Sequence, residues 1–167
     1  MKADIVYFYF IKDDFFDIAD DPELMQNKEN GNRRPCYYCI KSDEYESIMW
    51  FIPVSTKVKK YKEIYEHKIK KQMEQGKNIS IDTIVFGNVA NTYSAFLIQN
   101  MFPTTMEYIE GKYIKNKVQI RVSDQLEKEI IYKTNKVLEL YNHGMKRIVF
   151  TKIDRILHIL TGQITKK

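Results

Sequence analysis

The stretch FIPVSTKVKKY, residues 51–61, joins an apolar run to two adjacent hydroxyl side chains and three lysines. Its apolar start belongs to a β-rich segment that predicts a strand over residues 46–54. Pro53 cannot donate to a sheet ladder, so it marks the end or the edge of that strand. From residue 60 to about 75 the apolar side chains follow a helical spacing, at Tyr61, Ile64, Tyr65, Ile69 and Met73. The stretch therefore predicts a strand that leads into a lysine-rich helix, with Ser55 and Thr56 at the junction.

The remainder of the chain supplies further strands first and helices last. Strands are predicted over residues 5–11, 35–41, 79–86 and 106–109, while 93–102 is ambiguous and ends at a break at Pro103. A short helix is expected after a cap at Asp13 or Asp14, and a polar surface loop over 20–34. Two helices are predicted over 124–141, begun by a capping box of Asp124 and Glu127, and over 146–160. This order predicts a single α+β domain over residues 1–167, with a twisted antiparallel sheet or partly open barrel and helices packed on it.

Composition indicates a folded chain without a membrane span. The 167 residues are 44% hydrophobic and 29% charged, which suits one domain with a substantial core. No apolar run approaches the roughly 18 residues that a spanning helix needs. The first residues lack the apolar region of a signal peptide, so a cytoplasmic location is predicted.

Charge is unevenly distributed along the sequence. The net charge is +5, yet the first 30 residues contain eight acidic residues and only three lysines. Residues 57–77 contain eight lysines and three glutamates. A polyanion such as RNA is a fitting partner for that basic segment, because each neutralised phosphate releases counterions. A solvated helix face explains the same lysines equally well.

Two cysteines form a CxxC motif, Cys36-Tyr37-Tyr38-Cys39, within a predicted strand. Alternation along a strand points the two thiols to opposite faces, which does not suit a shared metal or a redox pair. The three histidines, His67, His143 and His158, are distant in sequence from the motif and from one another. Two ordinary buried thiols are expected, with no metal and no cofactor.

The junction after the predicted strand has the composition of a phosphate site. Ser55 and Thr56 fall at the strand end, and Lys57, Lys59 and Lys60 follow where N–H groups at a helix start favour anions. Such a set can orient a scissile phosphate and stabilise its developing charge. RNA carries its own nucleophile, the 2′-OH, so cleavage to a 2′,3′-cyclic phosphate and a 5′-OH needs no metal. A Ser-Thr cap in front of a surface helix is the alternative interpretation.

Further basic and aromatic side chains are candidates for contacting RNA. Exposed aromatic rings among lysines can stack on unpaired bases, although each ring can equally fill the core. The candidates are Arg33, Lys60, Tyr61, Lys62, Lys68 and Lys71.

Four segments, taken in order, resemble the endoribonuclease toxins of type III toxin–antitoxin and phage-abortive systems, the ToxN/AbiQ/CptN family. They are VYFYFIKDDFFDIADD, RRPCYYCI, FIPVSTKVKKY and AFLIQNMFPTTMEYI. The resemblance implies a MazF/Kid-like fold and metal-independent cleavage of single-stranded RNA, including cellular mRNA. It also implies inhibition by a small pseudoknot RNA that the toxin processes from a longer repeat transcript, in a closed toxin–RNA assembly.

The resemblance also implies roles for particular residues. Ser55 and Thr56 match the family's catalytic hydroxyl pair, and Lys57 or Lys59 its catalytic lysine, since the spacer differs here. Arg34 matches a basic residue before the second strand, where it would position phosphate but serve poorly as a proton shuttle. Two other functions fit the same surface: a non-catalytic RNA-binding module, and an interaction protein whose lysines meet an acidic protein.

Overall fold

A computed structural model describes residues 3–165, with side chains described for residues 3–163. The strands are β1 (Phe8–Ile11), β2 (Lys28–Glu29), β3 (Asn32–Arg33), β4 (Cys36–Lys41), β5 (Met49–Ser55), β6 (Ile84–Val89), β7 (Thr92–Leu97), β8 (Phe102–Thr104), β9 (Ile109–Lys112), β10 (Ile114–Lys115) and β11 (Val118–Gln119). The helices are α1 (Asp13–Ala19), α2 (Val58–Glu74), α3 (Asp124–Asn142) and α4 (Ile153–Thr165), with three short 3₁₀ turns between elements.

Seven of the strands form one antiparallel sheet in the order β6-β7-β5-β4-β1-β9, and β8 also pairs with β5. The strands β2 and β3 form a small hairpin, as do β10 and β11. The predicted α+β class, with an antiparallel sheet and surrounding helices, is confirmed. Barrel closure and the MazF/Kid comparison stay predictions.

The central strands are buried on both faces. One face, which includes Phe8, Tyr37 and Ile52, packs against apolar residues of α3 such as Ile130 and Val137. The other face carries Tyr9, Tyr38 and Phe51, and it packs against Phe15 of α1 and Leu160 of α4. Burial on both faces fixes the strand register, since a slip of one residue would exchange the two sets of side chains.

Several predicted boundaries differ from the observed elements. Pro103 does not break the chain but pairs with Trp50 inside β8, a three-residue strand of the kind that tolerates proline at a sheet edge. Residues 106–108 form a 3₁₀ turn, and β6 begins at Ile84 rather than at residue 79. The final helix begins at Ile153, because a 3₁₀ turn over Lys146–Ile148 precedes it.

Neither predicted cap of the first and third helices is correct. The N-cap of α1 is Lys12, and its side chain makes no capping hydrogen bond. The N-cap of α3 is Ser123, whose hydroxyl accepts the Leu126 N–H, so Asp124 is the first helical residue and not the cap.

The structure also decides how α2 begins. Its N-cap is Lys57, and no side chain caps it. The interpretation of Ser55 and Thr56 as a helix cap is therefore wrong. The Ser55 hydroxyl accepts the N–H of Lys57 itself at 3.1 Å, and both hydroxyl groups donate to another partner, described below.

None of the helices within residues 3–165 combines the length and the apolarity that crossing a bilayer requires.

Candidate functional site at the end of β5

The hydroxyl groups of Ser55 and Thr56 meet at the carboxylate of Glu29, in the β2–β3 hairpin. Glu29 Oε1 accepts the Thr56 backbone N–H at 2.8 Å and the Thr56 hydroxyl at 2.5 Å. Glu29 Oε2 accepts the Ser55 hydroxyl at 2.7 Å and the Arg34 guanidinium at 2.8 Å. Four donors thus surround one carboxylate, and we call Glu29, Arg34, Ser55 and Thr56 the carboxylate cluster.

Hydrogen bonds of Arg34 hold the β2–β3 hairpin close to the end of β5. The Arg34 N–H donates to the Asn27 carbonyl at 2.8 Å, which closes the loop around β2 and β3. The Arg34 guanidinium also donates to the carbonyls of Gln26 and Val54, both at 2.8 Å. One buried side chain therefore ties the hairpin to the end of β5.

Burial separates the members of the cluster into two groups. Ser55 is 1% exposed and Arg34 is 6% exposed. The side chain of Glu29 is 10% exposed, whereas Thr56 is exposed. Of the two predicted hydroxyl groups, only that of Thr56 is accessible to a bound molecule.

The environment keeps Glu29 ionised. Burial acts to raise the pKa of its carboxyl, but the hydrogen bonds from Thr56 and Ser55 and the charge of Arg34 outweigh it and lower the pKa to about 2. An ionised carboxylate only accepts hydrogen bonds, so both hydroxyl groups are the donors in their hydrogen bonds with Glu29. The Thr56 oxygen retains lone pairs that can accept a further hydrogen bond.

A cavity of about 620 Å³ opens beside the cluster, and Glu29, Arg34 and Thr56 form part of its wall. Its lining further includes the rings of Phe10 and Tyr113, and the polar or basic side chains Asn30, Asn32, Arg33 and Lys115. Ring faces, amides and cations together suit a nucleotide, which presents a flat base and an anionic phosphate.

Lys57 and Lys59 lie on the other side of Thr56. Both are exposed, and with Thr56 and Lys60 they line a shallow depression. Within the described residues their ammonium groups make no hydrogen bond or ion pair. The two sides of Thr56 therefore differ: the lysines are free at the surface, while an acid occupies the centre of the cluster.

Arg34 lies just before β4, where the resemblance placed it, and it is among the residues that line the cavity. The residue is 6% exposed, and its guanidinium is already bonded to the Glu29 carboxylate. Arg33 is the more accessible of the two arginines, and it pairs with Glu110 and, at 3.7 Å, with Asp13.

Glu29 is a site residue that the sequence did not predict. It lies 26 and 27 residues from its two hydroxyl partners, in a polar segment predicted only as a surface loop. The signal available was the length of that loop, because long loops often carry functional groups.

The candidates for contacting RNA divide by accessibility. Lys60, Lys62 and Lys71 are exposed on α2. The Lys62 ammonium lies 5.2 Å from the centre of the Tyr93 ring, which is 45% exposed. Lys68 is half-buried, donates to Thr83 and Gln99, and has a pKa lowered by desolvation.

Tyr61, a predicted RNA contact, is buried. It is 7% exposed and packs with Ile84, Ala95 and Leu97 beneath α2, so its ring is unavailable for stacking on a base.

The CxxC thiols lie in different core clusters, Cys36 with Tyr38 and Cys39 with Tyr37. Burial raises the pKa of each to about 12, so neither is a thiolate near neutral pH.

Two solved structures have the same fold as this chain. AbiQ, a lactococcal anti-phage endoribonuclease of the type III toxin–antitoxin system, aligns with a TM-score of 0.63 and 15% identity, over 98% of this chain and 100% of AbiQ. This chain shares that fold. A second structure, from work on bacterial type III systems and selective toxin inhibition by a non-coding RNA pseudoknot, aligns with a TM-score of 0.65 and 14% identity over 96% and 98% of the two chains. The predicted family resemblance is confirmed at the level of the fold. No family model matches the sequence, and no curated protein matches it significantly.

Proposed function

We propose that this protein is an endoribonuclease toxin of a type III toxin–antitoxin system. The observation that carries the proposal is the accessible Thr56 hydroxyl at the end of β5, between a nucleotide-sized cavity and a cluster of free lysines, in a fold shared with AbiQ. A fold alone does not determine activity, so the residues of this site support the proposed activity.

The reaction that suits these residues is attack of the ribose 2′-OH on the adjacent phosphorus of single-stranded RNA. The products are a 2′,3′-cyclic phosphate and a 5′-OH, and no metal is needed because the substrate supplies the nucleophile. DNA lacks the 2′-OH and is bound without being cut.

Each residue has a distinct role in this proposal. Thr56 contacts the reacting ribose, while Lys57 or Lys59 neutralises the non-bridging oxygens and protonates the leaving 5′ oxygen. Ser55 and Arg34 act through Glu29, because both are buried and bonded to its carboxylate. Arg33 and Lys115 place positive charge along the cavity for the flanking phosphates.

The partners follow from the same proposal. The single domain would act in the cytoplasm on cellular mRNA, and a small pseudoknot RNA, processed by the protein from a repeat transcript, would inhibit it within a closed protein–RNA assembly. The exposed lysines of α2 are available to either RNA.

Incubation with an unstructured RNA pool in excess EDTA tests the activity. We expect fragments with cyclic-phosphate and 5′-OH ends, and no cleavage of DNA of the same sequences. Intact RNA that remains bound would instead identify a non-catalytic RNA-binding module. Failure to bind RNA would favour an acidic protein as the partner of the lysines.

The double variant Lys57→Ala with Lys59→Ala should lower the cleavage rate by roughly 10²–10³ and abolish growth arrest, by analogy with the loss of one transition-state donor. Lys128→Ala, an exposed lysine on α3, is the matched control and should cleave normally. If the double variant still halts growth, these lysines have no part in the reaction.

A further inference from the structure

The direction of the hydrogen bonds at Glu29 assigns different tasks to the residues of the carboxylate cluster. An ionised carboxylate has no proton to donate, so the Thr56 hydroxyl is the donor in its hydrogen bond with Glu29 Oε1. The two oxygen atoms are 2.5 Å apart. Thr56 therefore cannot donate to a phosphate while this bond is made. It can only accept a proton from whatever binds at its exposed side.

The acceptor that faces the cavity matches the need of the proposed reaction. Attack by the ribose requires removal of the 2′-OH proton. Ammonium and guanidinium groups donate hydrogen bonds but accept none, so the lysines and arginines of the site do not suit this task. Among the described residues that line the cavity, Glu29 is the single acidic side chain.

We propose that Glu29 is a positioning residue and the terminal proton acceptor of a relay through the Thr56 hydroxyl. This inference rests on the proposed function. As the 2′ oxygen bonds to phosphorus, its proton passes to Thr56 Oγ1, and the original Thr56 proton passes to Glu29 Oε1. The bond from phosphorus to the 5′ oxygen breaks, and that oxygen takes a proton from a lysine ammonium. Glu29 then returns its proton through Thr56 to solvent, and the lysine is reprotonated from solvent, so the protons balance.

Substrate binding brings Glu29 closer to the strength that a base requires. A phosphodiester in the cavity adds a negative charge near the carboxylate, and like charge raises a carboxyl pKa. Burial already acts in the same direction. The Ser55 and Arg34 bonds to Oε2 meanwhile hold the carboxylate so that Oε1 stays directed at Thr56.

The decisive test is the pH dependence of RNA cleavage by Glu29→Gln. The variant should lose roughly 10²–10⁴ in kcat, the range for removal of a general base. Without an acceptor, hydroxide must take the 2′-OH proton, so the remaining rate should rise about tenfold per pH unit between pH 5 and 8. The wild-type kcat/KM should be flat over this range, because the Glu29 carboxyl of the free enzyme has its pKa at about 2.

Binding of 2′-O-methyl RNA, which lacks the nucleophile, separates chemistry from affinity. Its Kd should change less than about threefold in Glu29→Gln, since the relay acts on the reacting proton. Glu23→Gln, an exposed acid-to-amide change nearby in sequence, is the control and should keep the wild-type rate and profile.

Other outcomes overturn the inference. A Glu29→Gln variant that cleaves faster or binds RNA more tightly would show that Glu29 only blocks the site. A slower variant with the flat wild-type profile would show that Glu29 only supports the loop. If Glu29→Gln does not fold, Thr56→Val gives the same readout at an exposed position, and a flat profile there excludes the relay. Wild-type protein that cuts no RNA would contradict the proposed function itself, which is a separable result.

Discussion

At the scale of single residues, the hydrogen bonds that Thr56 and Ser55 donate to Glu29, together with the charge of Arg34, make stability sensitive to acid. The folded-state pKa of the Glu29 carboxyl, about 2, is below its ordinary value of 4.5. As the pH falls, the unfolded chain therefore takes up this proton first. The contribution of Glu29 to folding is fully present above pH 4.5 and is lost between pH 4.5 and about 2.

Urea unfolding of the wild type and of Glu29→Gln at several pH values measures this contribution, because the other carboxylates titrate in both proteins. The difference in unfolding free energy should be largest above pH 4.5 and shrink by about 2 kcal/mol on the way to pH 2, after allowance for solvent screening. A difference that stays constant across this range would mean that the four donors do not bind the ionised carboxylate preferentially.

The residue scale also shows which part of the site sequence could predict. Ser55 and Thr56 were found because they are adjacent and follow an apolar strand, a local pattern. Glu29 was not, because only the fold of the hairpin brings it to them. The burial of Arg34 could not be predicted for the same reason. An arginine is expected at the surface unless a buried acid pairs with it, and only the fold brings Glu29 to Arg34.

At the scale of elements, the start of α3 allows a direct test of the observed cap. The Ser123 hydroxyl accepts the Leu126 N–H at 3.3 Å, while Asp124 lies in the first turn. Ser123→Ala should cost about 1 kcal/mol of unfolding free energy. Asp124→Asn should cost less than about 0.5 kcal/mol, since it removes an exposed charge near the helix dipole and a 3.7 Å surface ion pair with Arg121. Chemical denaturation of both variants decides, and the reverse order would restore Asp124 as the cap.

Most elements could be predicted because their periodicity is local. The pattern placed α2 and α3 within about two residues of their observed starts and predicted strands at β4 and β5. Where a residue has two uses, the pattern failed. Both Ser123 and Asp124 can cap a helix, and Pro103 can end a strand or lie in a short one at a sheet edge, so tertiary pairing decides between them.

At the scale of the whole molecule, the two ends of the charge distribution lie on different elements. The acids of the N-terminal segment include Asp13, Asp14 and Asp17, which are exposed on α1. The apolar side of α1 packs with α4 on one face of the sheet. The lysines are concentrated on α2, which follows the proposed site directly. A single-stranded RNA that enters the site can therefore continue along α2 and gain affinity from phosphate contacts.

Salt dependence tests that path. Each neutralised phosphate of a single strand contributes about −0.7 to the slope of log K against log salt concentration. Changing Lys60, Lys62 and Lys71 to Gln should reduce the slope for 2′-O-methyl RNA by up to about 2, because three contacts would be lost. The matched control changes Lys12, Lys41 and Lys128, which are exposed on other elements, to Gln and so removes the same net charge. If α2 forms the path, the control keeps nearly the whole wild-type slope. Equal losses in the two triple variants would show that net charge alone attracts the RNA, and that α2 provides no bound track.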